Sequence, residues 1–213
     1  MNIIQNLLRV IVFVAFGFFI LLNAPVGTGQ AQTSQLSDSE KTDLRQAKKM
    51  YVMIERYGWA GMVMPVLEYT KKILTLGGYD VSETDSVHCD VVVRVRYQTW
   101  DVGGKYTDGN TRDTEAGMEG EIILDTGTWT HTRKFSYYPS PASAIIVRDG
   151  VTMYPELSRE SRFMNAFQKS FIAKALELLI EIKGPDSLTP FIKEKDSFLR
   201  EAALKKLETF GKH

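Results

Sequence analysis

The chain has 213 residues, of which 44% are hydrophobic and 24% charged, the proportions of an ordinary globular protein. Its 26 basic residues balance its 26 acidic residues, so no net charge favours nucleic acid or an anionic membrane surface as a partner. Its single cysteine, Cys89, excludes an internal disulfide, and the fold must therefore depend on a hydrophobic core.

The N-terminal segment has the pattern of a secretory signal peptide. Arg9 and the N-terminal amine precede an apolar run over residues 10–22, which is followed by a proline and several small residues. Gly29 and Ala31 form the small-x-small pattern of a cleavage site. We therefore predict that residues 1–31 are a signal peptide, cleaved after Ala31, and that the protein is exported to the periplasm or cell envelope of a bacterium.

A membrane anchor is the alternative interpretation of the same segment. The apolar run is shorter than the roughly 20 residues that cross a bilayer as a helix. If Leu7 and Leu8 join the run around Arg9, residues 7–26 would form an uncleaved anchor. Contact with a membrane is expected only in that case.

The composition changes after the predicted cleavage site. Residues 32–48 are rich in Ser, Gln, Asp and Glu, which predicts a polar spacer between the leader and the fold. Residues 49–56 alternate well enough to favour a strand, although a helical spacing of the same apolar residues is an alternative. Apolar residues at helical spacing from Val63 onwards then predict a helix, which ends at Gly77-Gly78.

The clearest strand covers residues 89–100. Cys89, Val91, Val93 and Val95 have one parity, so they should point to one face of a sheet, and the Cys89 thiol is predicted to be buried. The residues between them are mostly polar and should point to solvent. One buried and one wet face favour a partly antiparallel sheet over a doubly wound parallel one.

Two arginines of this strand, Arg94 and Arg96, are expected on the wet face. They would bind an anion or pair across the sheet with Glu119 and Glu121 of the next strand. Pairing is the favoured interpretation because the charges match and the strands are neighbours in sequence.

Residues 102–117 contain several glycines and charges, which predicts a long loop. Strands are predicted over residues 118–124 and 128–137, joined by a hairpin turn at Asp125-Thr126-Gly127. A long helix is predicted over residues 158–183, with Ser158 as its cap and Gly184-Pro185 as its end.

These elements make residues 49–184 an α+β domain. The predicted order is β-α-β-β-β-α, with about four strands in a two-layer mixed or antiparallel sheet that helices cover.

The last 28 or so residues resemble a single HEAT-type repeat. A short helix through Thr189-Pro190 is followed by Asp196 in a turn, by Arg200 four residues later and by the pair Ala202-Ala203. The resemblance implies a helical hairpin over residues 185–213, with Asp196 capping the second helix. The seam would contain Leu199, Ala203, Leu207 and Phe210. Because a lone unit cannot bury its own core, we expect the hairpin to pack on the preceding helix.

Residues 49–183 are similar to small bacterial envelope α/β domains. The opening strand, a helix that closes on Leu76-Gly77-Gly78-Tyr79-Asp80-Val81 and a strand that begins at Asp90 carry this similarity. The family includes the TolB N-terminal domain and the curli-secretion and penicillin-binding-protein-activator lipoproteins. Cys89 stands where the family has Ala, and the loop over residues 102–117 is longer. The resemblance implies the fold and a docking role, with no catalytic residue.

Five residues are candidates for binding a partner. Trp129, His131 and Arg133 share one face of a strand, which indicates either a binding surface or a cross-strand ladder, and the ladder is favoured. Trp100 and Tyr106, beside the glycine-rich segment, suggest an exposed aromatic patch.

Motifs for catalysis are sparse. No phosphate-binding loop or hydrolase elbow is present in the sequence. The rival hypothesis is a metal-dependent or hydrolytic envelope enzyme that uses His88, Asp90 and His131, with carboxylates such as Asp101 and Asp108. We expect instead a non-enzymatic exported binding or scaffold protein, without metal or cofactor, which acts by contact with another protein.

We predict that the protein recovered from the cell envelope begins near Gln32, because signal peptidase removes leaders of this pattern. N-terminal sequencing and intact mass measurement of the fractionated protein check this. An intact Met1 in the membrane pellet would instead support the anchor formed by residues 7–26.

Overall fold

A mixed β-sheet with helices on one face forms the centre of this structure, a computed structural model that describes residues 35–58, 61–84, 88–105, 111–139, 146–148, 151–153 and 158–210. The first elements in chain order are α1 (Asp38–Gln46), β1 (Lys49–Arg56), α2 (Val66–Leu76), β2 (Asp80–Ser82), β3 (Val91–Lys105), β4 (Thr111–Asp125) and β5 (Thr130–Tyr137). They are followed by β6 (Ile146–Arg148), β7 (Val151–Met153), α3 (Arg159–Phe167), a π-helical turn (Gln168–Ile172), α4 (Ala173–Lys183), a 3₁₀ turn (Pro185–Leu188), α5 (Thr189–Ile192) and α6 (Ser197–Phe210).

The main sheet has five strands in the order β2-β1-β3-β4-β5. β1 runs parallel to both of its neighbours, whereas β3, β4 and β5 are antiparallel. The parallel part arises because α2 carries the chain from β1 to β2 as a crossover. The predicted α+β class with a mixed sheet is therefore confirmed, with five strands in this sheet instead of about four.

Alternation along the strands gives the sheet one buried face. Val93 and Val95 of β3 are at most 2% exposed, and they lie opposite Leu124 and Ile122 of β4. Helix residues cover this layer, among them Phe171, whose ring meets that of Phe135 on β5 edge-on at 5.5 Å between centroids. The core therefore lies between this face and the helices.

The predicted polar spacer over residues 32–48 is wrong in the part that the structure describes. Residues 38–46 form α1, which begins with a capping box in which Ser37 and Glu40 each bind the other's backbone N–H group. Leu36 and Leu44 are buried in the core. The average composition is polar because few side chains of the segment face inward, and those few are enough to place it in the fold.

The predicted loop over residues 102–117 is also wrong in the part that the structure describes, residues 102–105 and 111–117. β3 continues to Lys105 and β4 starts at Thr111, and the two strands stay paired past a shift in register between Val102 and Gly103. Glycines that suggested a loop lie in strands here, as glycine does at bulges and close approaches.

Cys89 is half-buried and precedes β3, which starts at Val91. The prediction of a buried thiol fails because side chains alternate in this way only within a strand.

Residues 158–183 form a continuous helical run of α3, the π-helical turn and α4. The hydroxyl of Ser158 accepts the backbone N–H of Ser161, as the predicted cap, and Gly184 ends the run at a φ of 85°. A π-turn inserts one extra residue into the helix. Phe171 belongs to this turn and packs against β5.

Ion pairs connect the C-terminal helices to the rest of the fold. Asp196 Oδ1 accepts the N–H groups of Phe198 and Leu199 at 3.0 and 3.3 Å, so it caps α6 as predicted. Its other oxygen lies 3.2 Å from Lys72 Nζ on α2. Lys206 Nζ of α6 lies 3.3 Å from Glu177 Oε2 of α4. All described residues thus belong to one compact unit.

The seam of the hairpin is shorter than predicted. Leu199 and Ala203 are fully buried and Leu207 packs at the edge of the core, but Phe210 is 46% exposed. The predicted role of Phe210 in the seam is therefore wrong, because the last turn of α6 extends beyond the helices that cover it.

We predict that Leu199→Ala lowers the free energy of unfolding by about 2–5 kcal/mol, the usual range for truncating a fully buried leucine. Leu204→Ala, on the same helix but 41% exposed, is the matched control and should change it by less than about 0.5 kcal/mol. Urea unfolding followed by circular dichroism measures both. A change in the free energy of unfolding that is as small for Leu199→Ala as for Leu204→Ala would mean that α6 does not belong to the cooperative core.

Candidate functional site

The face of the sheet opposite the core keeps its charged side chains in solvent. The side chains of Glu55, Arg96 and Glu121 are 44%, 45% and 24% exposed. These three residues lie side by side on β1, β3 and β4, because Glu55 is in register with Arg96 and Arg96 with Glu121.

These side chains form a row of ion pairs across the strands. Arg96 Nε lies 3.1 Å from Glu55 Oε2, and Arg96 Nη1 donates to Glu121 Oε1 at 3.0 Å. Arg94 Nε lies 3.4 Å from Glu55 Oε1. The predicted pairing of Arg96 with Glu121 is therefore confirmed. Exposed pairs of this kind stabilise a fold by only about 0–1 kcal/mol, so their main effect is to orient Arg96.

Glu119 has other partners than the predicted arginines. Its Oε1 accepts the side-chain amide of Gln98 at 2.5 Å, and its Oε2 accepts the hydroxyl of Tyr138. The carboxylate thus holds a tyrosine in place at the end of β5.

Aromatic side chains border the row of charges. Tyr57 and Tyr138 are 37% and 65% exposed, and the Tyr57 ring centroid lies 5.9 Å from the Arg96 guanidinium carbon. Partial burial, and then the charges of Glu119 and Glu121, raise the pKa of Tyr57 above its usual value. A concavity of about 440 Å³ is lined by Tyr57, Arg96, Glu119, Glu121 and Tyr138, among others.

Trp100 extends this aromatic border because a glycine makes room for it. Its ring lies 5.3 Å from that of Tyr138, measured between centroids, and it sits directly on Gly117 of β4. A Cβ atom on Gly117 would come within 2.2 Å of Trp100 Cε2. The position of the indole therefore requires glycine at 117.

We call Tyr57, Arg96, Trp100, Glu121 and Tyr138 the open-face patch. It combines an oriented guanidinium, a carboxylate and three aromatic rings, which can bind apolar and charged groups together.

Four of the five residues predicted from the sequence to bind a partner lie in the described part of the chain, and they are divided between the two faces of the sheet. Trp100 lies in the open-face patch, and Tyr106 lies outside the described residues. Trp129, His131 and Arg133 point to the opposite, helix-covered face, where His131 is 5% and Arg133 4% exposed. The prediction that these last two form a partner-binding surface is therefore wrong.

The favoured alternative, a cross-strand ladder, is wrong for His131 and Arg133 as well. Their neighbours across the sheet are Leu124 and Ile122. Their polar partners come from helices instead: Glu181 of α4 binds Arg133, and Glu40 of α1 faces His131. A strand pattern cannot show which helix will cover it.

The residues of the rival enzyme hypothesis are not assembled into one site. Asp90 Oδ2 accepts the backbone N–H groups of Lys48 and Lys49 at 2.7 and 2.9 Å, and these bonds lower the pKa of Asp90. Asp101 pairs with arginines of α3, and His131 lies two strands away from β3. Within the described part of the chain, no group of three or more His, Cys, Asp or Glu side chains is placed to hold a metal ion. Asp108 lies outside that part.

Two patch residues, Tyr57 and Tyr138, were not singled out from the sequence. Tyr57 continues the parity of Glu55 one step past the end of β1, which is a usable signal once that strand is accepted. Tyr138 follows β5 and is positioned by Glu119, a contact that depends on the pairing of β4 with β5.

Comparison with known proteins adds no assignment. The chain matches no protein-family model, and no curated protein is significantly similar to it. Among the described residues, no helix is both long enough and apolar enough to cross a membrane.

We predict that Gly117→Ala displaces Trp100 and lowers the free energy of unfolding by about 1–3 kcal/mol, as overpacking does. In a Trp100→Ala background the same change should cost much less, because the clash is gone. Thermal unfolding of the four proteins in this double-mutant cycle measures the coupling. Additive effects would show that the indole does not rest on Gly117.

Proposed function

We propose that this chain is an exported, non-enzymatic binding or scaffold protein of the bacterial cell envelope, and that it binds another protein through the open-face patch. The observation that carries the proposal is the patch itself, in which the exposed rings of Tyr57 and Tyr138 line a charged concavity on the face of the sheet opposite the core.

The residue types of the patch support a protein as the partner. Tyrosine, tryptophan and arginine are the residues most enriched among those that dominate the energy of protein interfaces. Tyr57 and Tyr138 offer large rings at little cost in side-chain entropy, since each has only two rotatable side-chain bonds. Their exposure in the isolated chain leaves apolar area for a partner to cover.

The charges of the patch support a protein over a nucleic acid. Arg96 is flanked by Glu55 and Glu121 at 3.1 and 3.0 Å, so the row carries no excess of positive charge. Binding to a phosphate backbone depends on unopposed Lys and Arg. A partner with acidic and basic groups of its own fits this row, which would select its orientation more than its affinity.

The proposed location in the cell envelope is based on the signal-peptide pattern of residues 1–31. A retained leader would make the protein a membrane-tethered accessory subunit with the same patch, and the N-terminal sequencing described above separates these two cases.

The test is site-specific photocrosslinking in intact cells. A photoreactive phenylalanine analogue replaces Tyr138 in the patch or, as the control, Phe210, an aromatic residue of α6 with 46% exposure. We expect one discrete crosslinked protein from position 138 and none of the same mass from position 210.

Tyr57→Ala should weaken this crosslink by about tenfold, the loss expected when a residue that dominates an interface is truncated. Val63→Ala, which changes an exposed residue that does not line the patch concavity, should leave it unchanged. No crosslink from position 138, or equal crosslinks from both positions, would contradict the proposal.

A further inference from the structure

A polar cluster of two buried and two half-buried side chains attaches α1 to the rest of the fold. It consists of Glu40 on α1, His131 and Arg133 on β5, and Glu181 on α4, and we call it the latch cluster. Glu181 joins two parts of the chain, because its Oε1 accepts the backbone N–H of Leu36 at 2.6 Å and its Oε2 accepts Arg133 Nη2 at 2.5 Å.

Two further polar contacts hold α1 in place. Arg45 Nε donates to the carbonyl oxygen of Ile182 at 2.5 Å, and the indole N–H of Trp129 donates to Asp43 Oδ2 at 2.9 Å. By contrast, Leu44 is the only residue of this nine-residue helix that is buried. Leu36, just before the helix, is buried as well, so the docking of α1 depends on these polar groups together with two leucines.

His131 is the member of the cluster whose charge is sensitive to mild acid. Its ring is 5% exposed, and its Nδ1 lies 3.8 Å from Glu40 Oε1. Its Nε2 is buried without a hydrogen-bond partner among the described residues. We assign the proton of the neutral ring to Nδ1, which faces Glu40. A second proton would then place an N–H group at Nε2 with no acceptor, at the cost of a buried, unsatisfied donor.

Charged groups on three sides of His131 act in opposite directions. Burial has the largest effect and lowers the pKa of His131, and the neighbouring Arg133 lowers it further. Glu40 of α1 and Glu181 of α4 raise it, but Glu181 is already engaged with Arg133. The pKa of the docked imidazole is therefore below its ordinary value.

We propose that residues 35–48 form a strap that is docked at neutral pH and opens more often when His131 binds a proton in mildly acidic surroundings. Once released, the strap has the composition of a polar spacer, and its 14 residues would span up to about 45 Å. The inference does not depend on the proposed function, because the latch cluster and the open-face patch lie on opposite faces of the sheet.

The direction of the pH effect follows from the two states of the imidazole. In the released state the His131 ring is no longer covered by α1, so its pKa lies closer to the ordinary value of about 6.5. In the docked state it resists protonation, so docking is fully favoured above pH 6.5 and weakens as the pH falls below that value. Between pH 7.5 and 5.5 the released fraction should rise by up to about tenfold.

Amide hydrogen exchange of the purified full chain, followed by mass spectrometry, measures this release. Protection factors, which correct for the intrinsic effect of pH on exchange, are compared at pH 7.5 and 5.5 for peptides from α1 and from β3. We expect protection of α1 to fall at least about twofold, and by no more than about tenfold, at pH 5.5, with β3 unchanged.

His131→Gln should keep a neutral side chain and remove this pH dependence, whereas His88→Gln, a change at an exposed histidine, should retain it. If His131→Gln does not fold, the wild-type ring is titrated by NMR instead. Protection of α1 that changes less than twofold, an equal loss in β3, or a His131 ring that titrates at or above pH 6.5 would each overturn the proposal.

Discussion

The pairing register of β3 with β4 is the constraint on which the rest of the molecule depends. Side chains alternate along a strand, so a slip of one residue would exchange the two faces of the sheet. In the observed register Val93 and Val95 lie opposite Leu124 and Ile122, and all four are buried. Burial of each such side chain stabilises the fold by about 1.5–3 kcal/mol. The ion pair between Arg96 and Glu121, in the same register, contributes at most about 1 kcal/mol. The apolar face thus selects the register, and the row of charges on the other face follows from it.

The helix α4 joins parts of the chain that are far apart in sequence. It is buried on several sides, which is expected of a helix that contacts the sheet, α1 and the C-terminal hairpin together. Its one inward carboxylate, Glu181, meets Arg133, which is 4% exposed. Removing one partner of such a pair leaves an uncompensated charge and costs several kcal/mol. A polar contact is therefore as important for the position of α1 as apolar packing is for the other helices.

Similar residue types serve different purposes on the two faces of the sheet. Arginine, glutamate and aromatic side chains occur in the open-face patch and around the latch cluster. In the patch, solvent screens the charges, so they stabilise little and remain available to a partner. In the latch cluster, burial makes the protonation state of a single histidine change the balance between docked and released strap. Surroundings, and not residue identity, separate the proposed binding surface from the proposed pH-sensitive contact.

Several elements were determined by the sequence alone, because their signals are local. The strand over residues 49–56, the helix that ends at Gly77, the hairpin turn at Asp125 and the caps at Ser158 and Asp196 all follow from periodicity, glycine conformation or a side chain near a helix end. The α+β class follows from their order.

Other features were decided only by the tertiary structure. Residues 38–46 look like a spacer until Leu44 and Glu40 meet α4 and β5, and residues 102–117 look like a loop until β3 and β4 pair. His131 and Arg133 have the alternation of a strand face, but nothing near them in sequence shows that α1 and α4 cover that face. Burial and partner choice come from segments more than 40 residues away, such as Glu181 for Arg133. Local patterns cannot encode such contacts, because the same alternation fits either a covered or an open face.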